Sequence, residues 1–586
     1  MDPFVHLHVA SGYSLQYGAA HPHVLVERAA EQEMDTLALT DRDGTYGAVK
    51  HALACRAAGI RPVLGVDLAV APQVRPPAPP AHEQRARTPV RGGAFRDDRL
   101  LPRATFLAHA GHTGGRAGWA AICRLVSATQ LTGERGKPVV DLSVIAPWLA
   151  SGDVVVLLGP TSEVGAALAR RRDDLAHAAL APWLELVPRD NLLLELVSHR
   201  LPGRSGVWGP GTTPHAARMA GFARQAGLGA VLSNAVRYAD RRDAPVVDVL
   251  DAARRLVALD RRHVDRGNAE GFLKSGKQMH EVAEEIARLA GLGDTDREAG
   301  LLLAHTRQVG DRCALDPRAD LGLGEVHFPE FDLSGAGPGA PDQQQADGIL
   351  RQRCEAGVGR RYGSAPRQRI WKRLDDELEM IRGLGYASYF LTVGDVTDLI
   401  REMGVRCAAR GSGAGSLVNY LLGVSGVDPI RHGLLMERFL SPLRASLPDI
   451  DVDVESARRE DIYRAILDRF GGERCVCVSM MDTYRVRHAV RDVGAALGMP
   501  PGETDAIAKA FPHIRARDAR MAMRDLPELR AAGLDSSRLD LMFDLVERLD
   551  GLPRHIAVHP CGVLLSDATL LDRTPVESSF AGFPMS

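Results

Sequence analysis

Short apolar runs alternate with amphipathic stretches over the first 70 residues of the chain. The runs predict strands, and the stretches, with apolar residues at helical spacing, predict helices. In chain order the pattern predicts a strand over Phe4–His8, a helix over Val24–Gln32, a strand over Thr36–Thr40, a helix over Ala48–Ala58 and a strand over Pro62–Val66. This alternation indicates parallel strands covered by helices, a barrel or an open sheet, with active residues at the carboxyl ends of the strands.

Further along, the same patterns predict more helices and two connecting segments. The predicted helices are Val246–Leu259, Met279–Leu292 and Trp371–Leu384. In the last of these, the apolar residues Leu374, Leu378 and Ile381 recur at helical spacing, so this stripe is expected to face a core. Residues 72–98, rich in proline and arginine, predict an extended loop, and the glycine-rich residues 334–341 predict a linker.

Three aspartates alternate with β-branched residues late in the chain. Asp449, Asp451 and Asp453 are separated by Ile450 and Val452. In a strand this pattern places all three carboxylates on one face. Aspartate is disfavoured in strands, so the carboxylates need a compensating cation or water, and such a pair of carboxylates can hold two Mg²⁺ ions for phosphoryl displacement. The alternative is a solvated strand edge whose charges prevent aggregation.

A glycine-rich segment precedes the acidic strand. It runs from Arg410 to Ser416 and contains Gly411, Ser412, Gly413 and Gly415, followed by an apolar stretch that predicts a helix. Backbone N–H groups at such a helix start bind phosphate, although a flexible loop is the commoner reading of a glycine-serine run. A phosphate-binding loop and a metal-binding strand together indicate nucleotidyl transfer.

Composition predicts an ordinary intracellular protein of three or four domains. The 586 residues are 45% hydrophobic and 25% charged, and the eight cysteines are scattered, as expected for a reducing cytoplasm. The sequence shows no membrane-spanning run and no signal-like start. The formal net charge of −2 does not suggest nucleic-acid binding, but residues 351–373 are strongly basic and could follow a DNA backbone or be a solvated face.

Four segments resemble the bacterial replicative DNA polymerase III alpha subunit: Gly411–Ser416, Glu437–Leu440, Pro448–Asp453 and Gly383–Leu391. The resemblance extends from Phe4–His8 to the last residues of the chain. Thr40–Gly44 is more similar to the error-prone branch of that family than to the main replicase.

The resemblance implies an α/β multidomain fold. It assigns residues 1–325 to a PHP-type (β/α) barrel-like domain and residues 326–481 to a nucleotidyltransferase-like palm of mixed sheet plus helices. Residues 482–549 would be an inserted helical thumb, and residues 550–586 would complete the second part of the palm. The implied partners are primer-template DNA, dNTPs and, in the full-length protein, a sliding clamp and other replication or repair proteins.

The resemblance also implies roles for individual side chains. Asp449 and Asp451 would hold two Mg²⁺ ions, with Asp453 in support, and Arg410 with Gly411–Ser416 would bind the incoming triphosphate. In the thumb, the residues expected to grip DNA phosphates are Arg485, Arg487, His488 and Arg491. The family usually has lysine at position 488.

The family's PHP metal centre is eroded in this sequence. Only His8 and Asp67 keep suitable ligands at the implied positions. The other implied positions hold Ala10, Tyr17, Arg42, Pro160 and Arg237. Because stable sites need three or four ligands, we expect this domain to lack its metal and to serve as a scaffold.

In the family, the third catalytic carboxylate lies on a strand just beyond the position of Ser586, followed by fingers, a clamp-binding segment and an OB-fold. The chain is therefore expected to be a truncated product, in which Asp567 or Glu577 would have to replace the third acid. The leading hypothesis is a template-directed DNA polymerase. A non-catalytic DNA-binding scaffold is the alternative, and a PHP-type phosphoesterase is the weakest.

Overall fold

The computed structural model describes residues 2–74, 101–111, 114–132, 138–203, 208–329, 343–363, 367–441, 450–527, 529 and 537–586. Asp449, residues 334–341 and most of the predicted 72–98 loop lie outside these ranges. The chain divides into two compact units. One comprises Met1–Gly324, Ser479–Val558 and Asp572–Gly582, and the other Glu325–Val478, His559–Leu571 and Phe583–Ser586.

The first unit is built on a mixed sheet of mostly parallel strands. Its strands are β1 (Thr36–Arg42), β2 (Arg61–Ala69), β3 (Arg103–Ala108), β4 (Val154–Leu158), β5 (Leu192–Leu201), β6 (Gly211–Thr212) and β7 (Gly229–Ser233). Neighbours β1–β2, β4–β5 and β5–β7 are parallel, whereas β3 is antiparallel to both β2 and β4. The strands are buried almost throughout, which explains their continuous apolar runs.

The amino-terminal segment closes this sheet into a barrel-like form. The backbone oxygens of His6 and Val9 accept hydrogen bonds from β1 (Ala38 N, 3.1 Å; Thr40 N, 2.8 Å), and that of His8 accepts one from Val236 N, just after β7 (3.0 Å). The segment forms single bridges rather than a regular ladder, so the strand predicted over Phe4–His8 is wrong in detail, although the extended course is right.

Helices cover this barrel. They are α1 (Pro22–Glu31), α2 (Ala48–Ala58), α3 (Gly115–Thr132), α4 (Leu142–Ala150), α5 (Glu163–Ala169), α6 (Asp173–Leu186), α7 (Thr213–Ala226), α8 (Ala244–Arg255), α9 (Gly276–Ala290) and α10 (Thr295–Cys313). Four of them coincide within a few residues with the helices that periodicity predicts. The apolar faces of α1–α7 and α9, with Ala299 of α10, form one core with the sheet.

The second unit combines long helices with short strands. Its helices are α11 (Gln343–Tyr362), α12 (Gln368–Leu384), α13 (Ala387–Glu402), α14 (Leu417–Leu421) and α15 (Arg459–Phe470). Strands β8 (Cys407–Arg410) and β9 (Asp451–Val454) form an antiparallel pair. As predicted, Leu374, Leu378 and Ile381 of α12 are in the core of this unit.

Two strands run from one unit into the other along the chain, β10 (Cys475–Thr483) and β11 (Pro553–Leu565). Between them lie α16 (Val486–Ala496), α17 (Pro501–Ala510), α18 (Ala519–Asp525) and α19 (Ser537–Arg548), followed after β11 by α20 (Leu570–Arg573) and the short strands β12 (Glu577–Ser578) and β13 (Pro584–Met585). The helical insertion is as predicted. It shares a hydrophobic core with α8 and belongs to the first unit, so the units do not follow the implied domain bounds, which stay predictions.

None of the helices in the described ranges is both long enough and apolar enough to cross a lipid bilayer.

Candidate active site

The β8–β9 pair brings the two sequence motifs of the second unit together. Its register sets Arg410 opposite Asp451 and Ala408 opposite Asp453. Asp451 and Asp453 are exposed, whereas Val452 and Val454 are half-buried, so the predicted alternation of a strand is confirmed. Asp449 lies outside the described residues, and its role stays a prediction.

Arg410 lies beside both described carboxylates. Its Nε atom is 3.2 Å from Oδ1 of Asp453 and 3.9 Å from Oδ2 of Asp451. All three side chains are more than half exposed, and ion pairs this exposed are weak. The carboxylate oxygens are therefore accessible, and a donor set of oxygens suits a hard divalent cation such as Mg²⁺.

The glycine-rich segment starts at the same end of the strand pair. Gly411–Gly415 forms a 3₁₀ turn between β8 and α14, and Gly411 has a left-handed φ of 69°. A Cβ atom at Gly411 would lie 4.0 Å from Oδ2 of Asp451. Gly411 and Ser412 are exposed, whereas Gly413 and Gly415 are buried. The outer part of the predicted phosphate loop thus borders the acidic strand.

The inner part of that loop is occupied by the protein itself. The buried Ser416 hydroxyl donates to Glu377 Oε2 (2.9 Å), and the first two N–H groups of α14 donate to the same carboxylate (Leu417, 2.9 Å; Val418, 3.1 Å). An internal carboxylate thus takes the donors for which a nucleotide phosphate was predicted, and a nucleotide-binding role of Ser416 stays a prediction. The signal was an acid within the apolar stripe of α12, between Leu374 and Ile381.

The two acids considered as replacements for a third catalytic carboxylate have other contacts. Asp567 Oδ2 lies 3.0 Å from His327 Nδ1, and its other oxygen accepts from Thr569. In the first unit, Glu577 accepts a hydrogen bond from the Tyr46 hydroxyl (3.0 Å). Both acids are therefore held in hydrogen-bonded positions within their own units.

The predicted DNA-contacting residues lie at the start and in the middle of α16. Arg485 is the N-cap residue and is exposed, but Arg487 donates to the backbone oxygen of Phe511 (2.8 Å). Arg491 pairs with Asp505 (2.9 Å), and His488 lies 3.8 Å from Asp482. The DNA-binding role of the four residues stays a prediction, for which Arg485 is the most accessible.

The two retained PHP ligands are paired with charges of the protein. His8 Nδ1 lies 2.8 Å from Glu195 Oε1. Burial lowers the pKa of His8, but the Glu195 carboxylate outweighs burial and raises the pKa from 6.5 to about 8. Sequence reasoning missed Glu195, whose signal was a single acid in the apolar run Leu192–Val197.

Asp67, the other retained ligand, accepts a hydrogen bond from Arg103 Nε (2.7 Å). Arg103 also donates to Asp43 (2.7 Å), so one buried guanidinium serves two carboxylates. Burial raises the pKa of Asp67, but Arg103, His8 and Arg42 outweigh it and lower the pKa overall.

Three of the substituted ligand positions meet in a stack. The guanidinium carbons of Arg42 and Arg237 lie 4.6 and 3.9 Å from the centre of the Tyr17 ring, within the range of cation–π contacts. Arg237 is also bound by Asp251 of α8 (2.7 Å). Arginines with their own partners therefore occupy the region where the resemblance implies metal ligands.

Two family models match parts of the chain. Residues 348–582 match the family model of the bacterial DNA polymerase III alpha NTPase domain, and residues 6–199 match that of the PHP domain. These parts of the chain are similar to the two families, and the resemblance that the sequence motifs imply is thus confirmed.

Curated proteins similar to this chain include two error-prone DNA polymerases. The protein of Mycolicibacterium paratuberculosis is 32% identical to this chain, and the match covers 98% of this chain and 47% of that protein. The protein of Symbiobacterium thermophilum is 31% identical, and the match covers 99% of this chain and 49% of that protein. The chain spans about half the length of the curated relatives it matches. Among solved structures, an amidohydrolase from Chromobacterium violaceum is 17% identical with a TM-score of 0.23, covering 40% of this chain and 87% of that one.

Proposed function

We propose that this chain carries the nucleotidyl-transfer site of an error-prone, template-directed DNA polymerase. The observation that supports this is the junction of β8 and β9, where the exposed start of the glycine-rich turn borders the exposed face of the acidic strand. A triphosphate held at Gly411 and Ser412 would lie next to Asp451, as nucleotidyl transfer requires.

Asp449 and Asp451 hold two Mg²⁺ ions in this proposal. When bound, such ions would supply the Lewis acidity needed to activate a primer 3′-hydroxyl and to neutralise charge on the leaving pyrophosphate. Arg410 neutralises the carboxylates in the free protein and binds the triphosphate when it arrives, because the Arg410–Asp453 contact is exposed and easily exchanged. When no triphosphate is bound, Asp453 holds the Arg410 guanidinium at the site.

The proposed substrates are dNTPs and primer-template DNA, and the proposed location is the cytoplasm. Arg485, and after rearrangement of their present pairs Arg487, His488 and Arg491, would bind DNA phosphates, which gives affinity without sequence preference. A sliding clamp and other replication or repair proteins would be partners of the full-length protein.

The PHP-type domain is proposed to be a scaffold without metal chemistry. The arginines of this region support the proposal: Arg103 is bound to Asp67, and Arg42 and Arg237 place positive charges where the resemblance implies metal ligands. Zn²⁺ or Mn²⁺ retained stoichiometrically by the intact chain after dialysis, and lost in His8→Ala, would contradict the proposal.

A DNA-binding scaffold without turnover is the second candidate for the whole chain. The ion pair of Arg410 with Asp453 favours the scaffold, because a cation of the protein already compensates part of the carboxylate charge. The two candidates differ in whether primers are extended.

Mg²⁺-dependent primer extension by the 586-residue chain tests the proposal. The Asp449→Ala/Asp451→Ala variant should lose extension, whereas a control at an exposed acid of α15, Asp468→Ala, should retain it. Fluorescence anisotropy with labelled primer-template gives binding in parallel. Bound primer-template with no extension by the wild-type chain would support the scaffold, and extension by the double variant would refute the assignment of the carboxylates.

A further inference from the structure

Glu377 is a fully buried acid at the centre of a hydrogen-bond cluster in the second unit. Its carboxylate accepts from the Ser416 hydroxyl and from the N–H groups of Leu417 and Val418 at 2.9–3.1 Å. It also accepts from Nε of Arg373, one turn earlier on α12 (2.7 Å). Four donors converge on one carboxylate, which compensates for burying its charge.

Arg373 extends the cluster to the other side of the glycine-rich turn. Its Nη2 atom donates to the backbone oxygens of Gly415 (3.1 Å) and Leu434 (3.4 Å). The Arg373–Glu377 pair therefore holds a carbonyl group before Ser416 and the N–H groups after it. A single turn of α12 binds both sides of the junction between the 3₁₀ turn and α14.

Asn419 completes the internal support of the turn. Its side-chain amide donates to the oxygen of Gly413 (2.9 Å), and its backbone N–H donates to the Ser416 hydroxyl (3.2 Å). Asn419 and Ser416 are fully buried. The inner side of residues 413–418 is thus fixed by side chains of the protein, while Arg410, Gly411 and Ser412 are exposed.

A helix start attracts anions because its first N–H groups have no partner within the helix. Here an anion of the chain itself fills that position. The start of α14 therefore has no free capacity for a second negative charge, and like-charge repulsion from Glu377 would oppose one.

We propose that Glu377 is a positioning residue for nucleotide binding. By occupying the anion position at the start of α14, it fixes the glycine-rich turn so that Arg410, Gly411 and Ser412 face the triphosphate. The role of Glu377 in fixing the turn follows from the contacts alone, whereas its role in nucleotide binding rests on the proposed function.

Hydrogen–deuterium exchange of the full chain tests whether Glu377 fixes the glycine-rich turn, and it does not require catalytic activity. Glu377→Gln replaces one carboxylate oxygen by an NH₂ group, a donor that then faces N–H groups in need of an acceptor. Peptides covering 411–421 should therefore exchange at least about tenfold faster. The matched control is Glu379→Gln, a neighbouring glutamate of α12 that is 78% exposed, which should leave these peptides unchanged. Ser416→Ala, which removes one donor, serves if Glu377→Gln does not fold.

Nucleotide affinity tests whether Glu377 positions the turn for nucleotide binding. We expect the KM for dNTP to rise about tenfold in Glu377→Gln, with kcat changed by less than about threefold and primer-template affinity unchanged. If the wild-type chain extends no primer, the proposed function fails, and equilibrium binding of a fluorescent dNTP with Mg²⁺ replaces KM as the readout. Unchanged exchange in both variants would overturn the inference, as would faster exchange with unchanged dNTP affinity.

Discussion

Asp251 links the stack of Tyr17, Arg42 and Arg237 in the barrel to the helices of residues 486–548, and its removal is predicted to destabilise both. Its side chain is fully buried and accepts from Arg237 Nη2 (2.7 Å), Arg254 Nη2 (2.8 Å) and the N–H of Asp265 (2.9 Å). It lies on α8, whose residues Val246, Val249 and Leu250 pack in one core with α16 and α19. Asp251→Asn removes the charge and keeps the volume.

The expected magnitude follows from what the substitution leaves behind. Arg237 is only 7% exposed, so without Asp251 its guanidinium is a buried charge with too little compensation. Breaking one side of a buried pair costs about 3–5 kcal/mol, whereas replacing both partners by apolar residues is often close to neutral. We therefore expect Asp251→Asn to lose about 3–5 kcal/mol and Arg237→Met/Asp251→Leu to lose much less.

Urea unfolding followed by circular dichroism measures the loss. Limited proteolysis of the folded protein, with cleavage sites mapped by mass spectrometry, shows whether residues 486–548 open first. The control is Asp260→Asn, which breaks an exposed pair with Arg262 and should give no measurable change. A loss below about 1 kcal/mol for Asp251→Asn, or an equal loss for the apolar double variant, would refute the reasoning.

Further predictions concern pH and DNA. The pKa of His8 rises from 6.5 to about 8 beside Glu195. This pair therefore stabilises the fold by about 2 kcal/mol below pH 6.5, and the contribution is lost as the pH rises through 8. In urea titrations, Glu195→Gln should remove this pH dependence of the unfolding free energy. Burial lowers the pKa of His51 to about 4, so stability should fall by about 3 kcal/mol as the pH drops from 6.5 to 4, and His51→Gln should reduce the fall. Arg485→Ala should weaken primer-template binding about equally for all sequences and reduce the salt slope by about one, whereas unchanged slope would exclude a phosphate contact.

Local patterns predicted what depends on local geometry. The alternation of Asp451 and Asp453 with valines leaves one arrangement for a strand, and the structure has it. The helices of the barrel follow equally from periodicity. The first strand was wrong in detail because residues 4–10 bond alternately to segments on two sides, which no short-range pattern records.

The part of the site that could not be predicted depends on partners distant in sequence. Ser416 has the residue type and position of a phosphate ligand, and only its contact with Glu377, 39 residues earlier, assigns it to the interior. Similarly, the substitutions at Tyr17, Arg42 and Arg237 predicted loss of the metal ligands. That these three side chains would stack on one another required the fold.

This stack also constrains how the barrel can evolve. Returning Arg237 to histidine would restore one ligand type, but it would leave Asp251 with one guanidinium fewer and Tyr17 without its nearest cation. Returning Arg42 alone would leave the rest of the stack in place, still without a ligand set. Replacing Arg237 alone would therefore reduce stability before any metal could bind, so a metal centre of the family type would require several coordinated substitutions in this barrel.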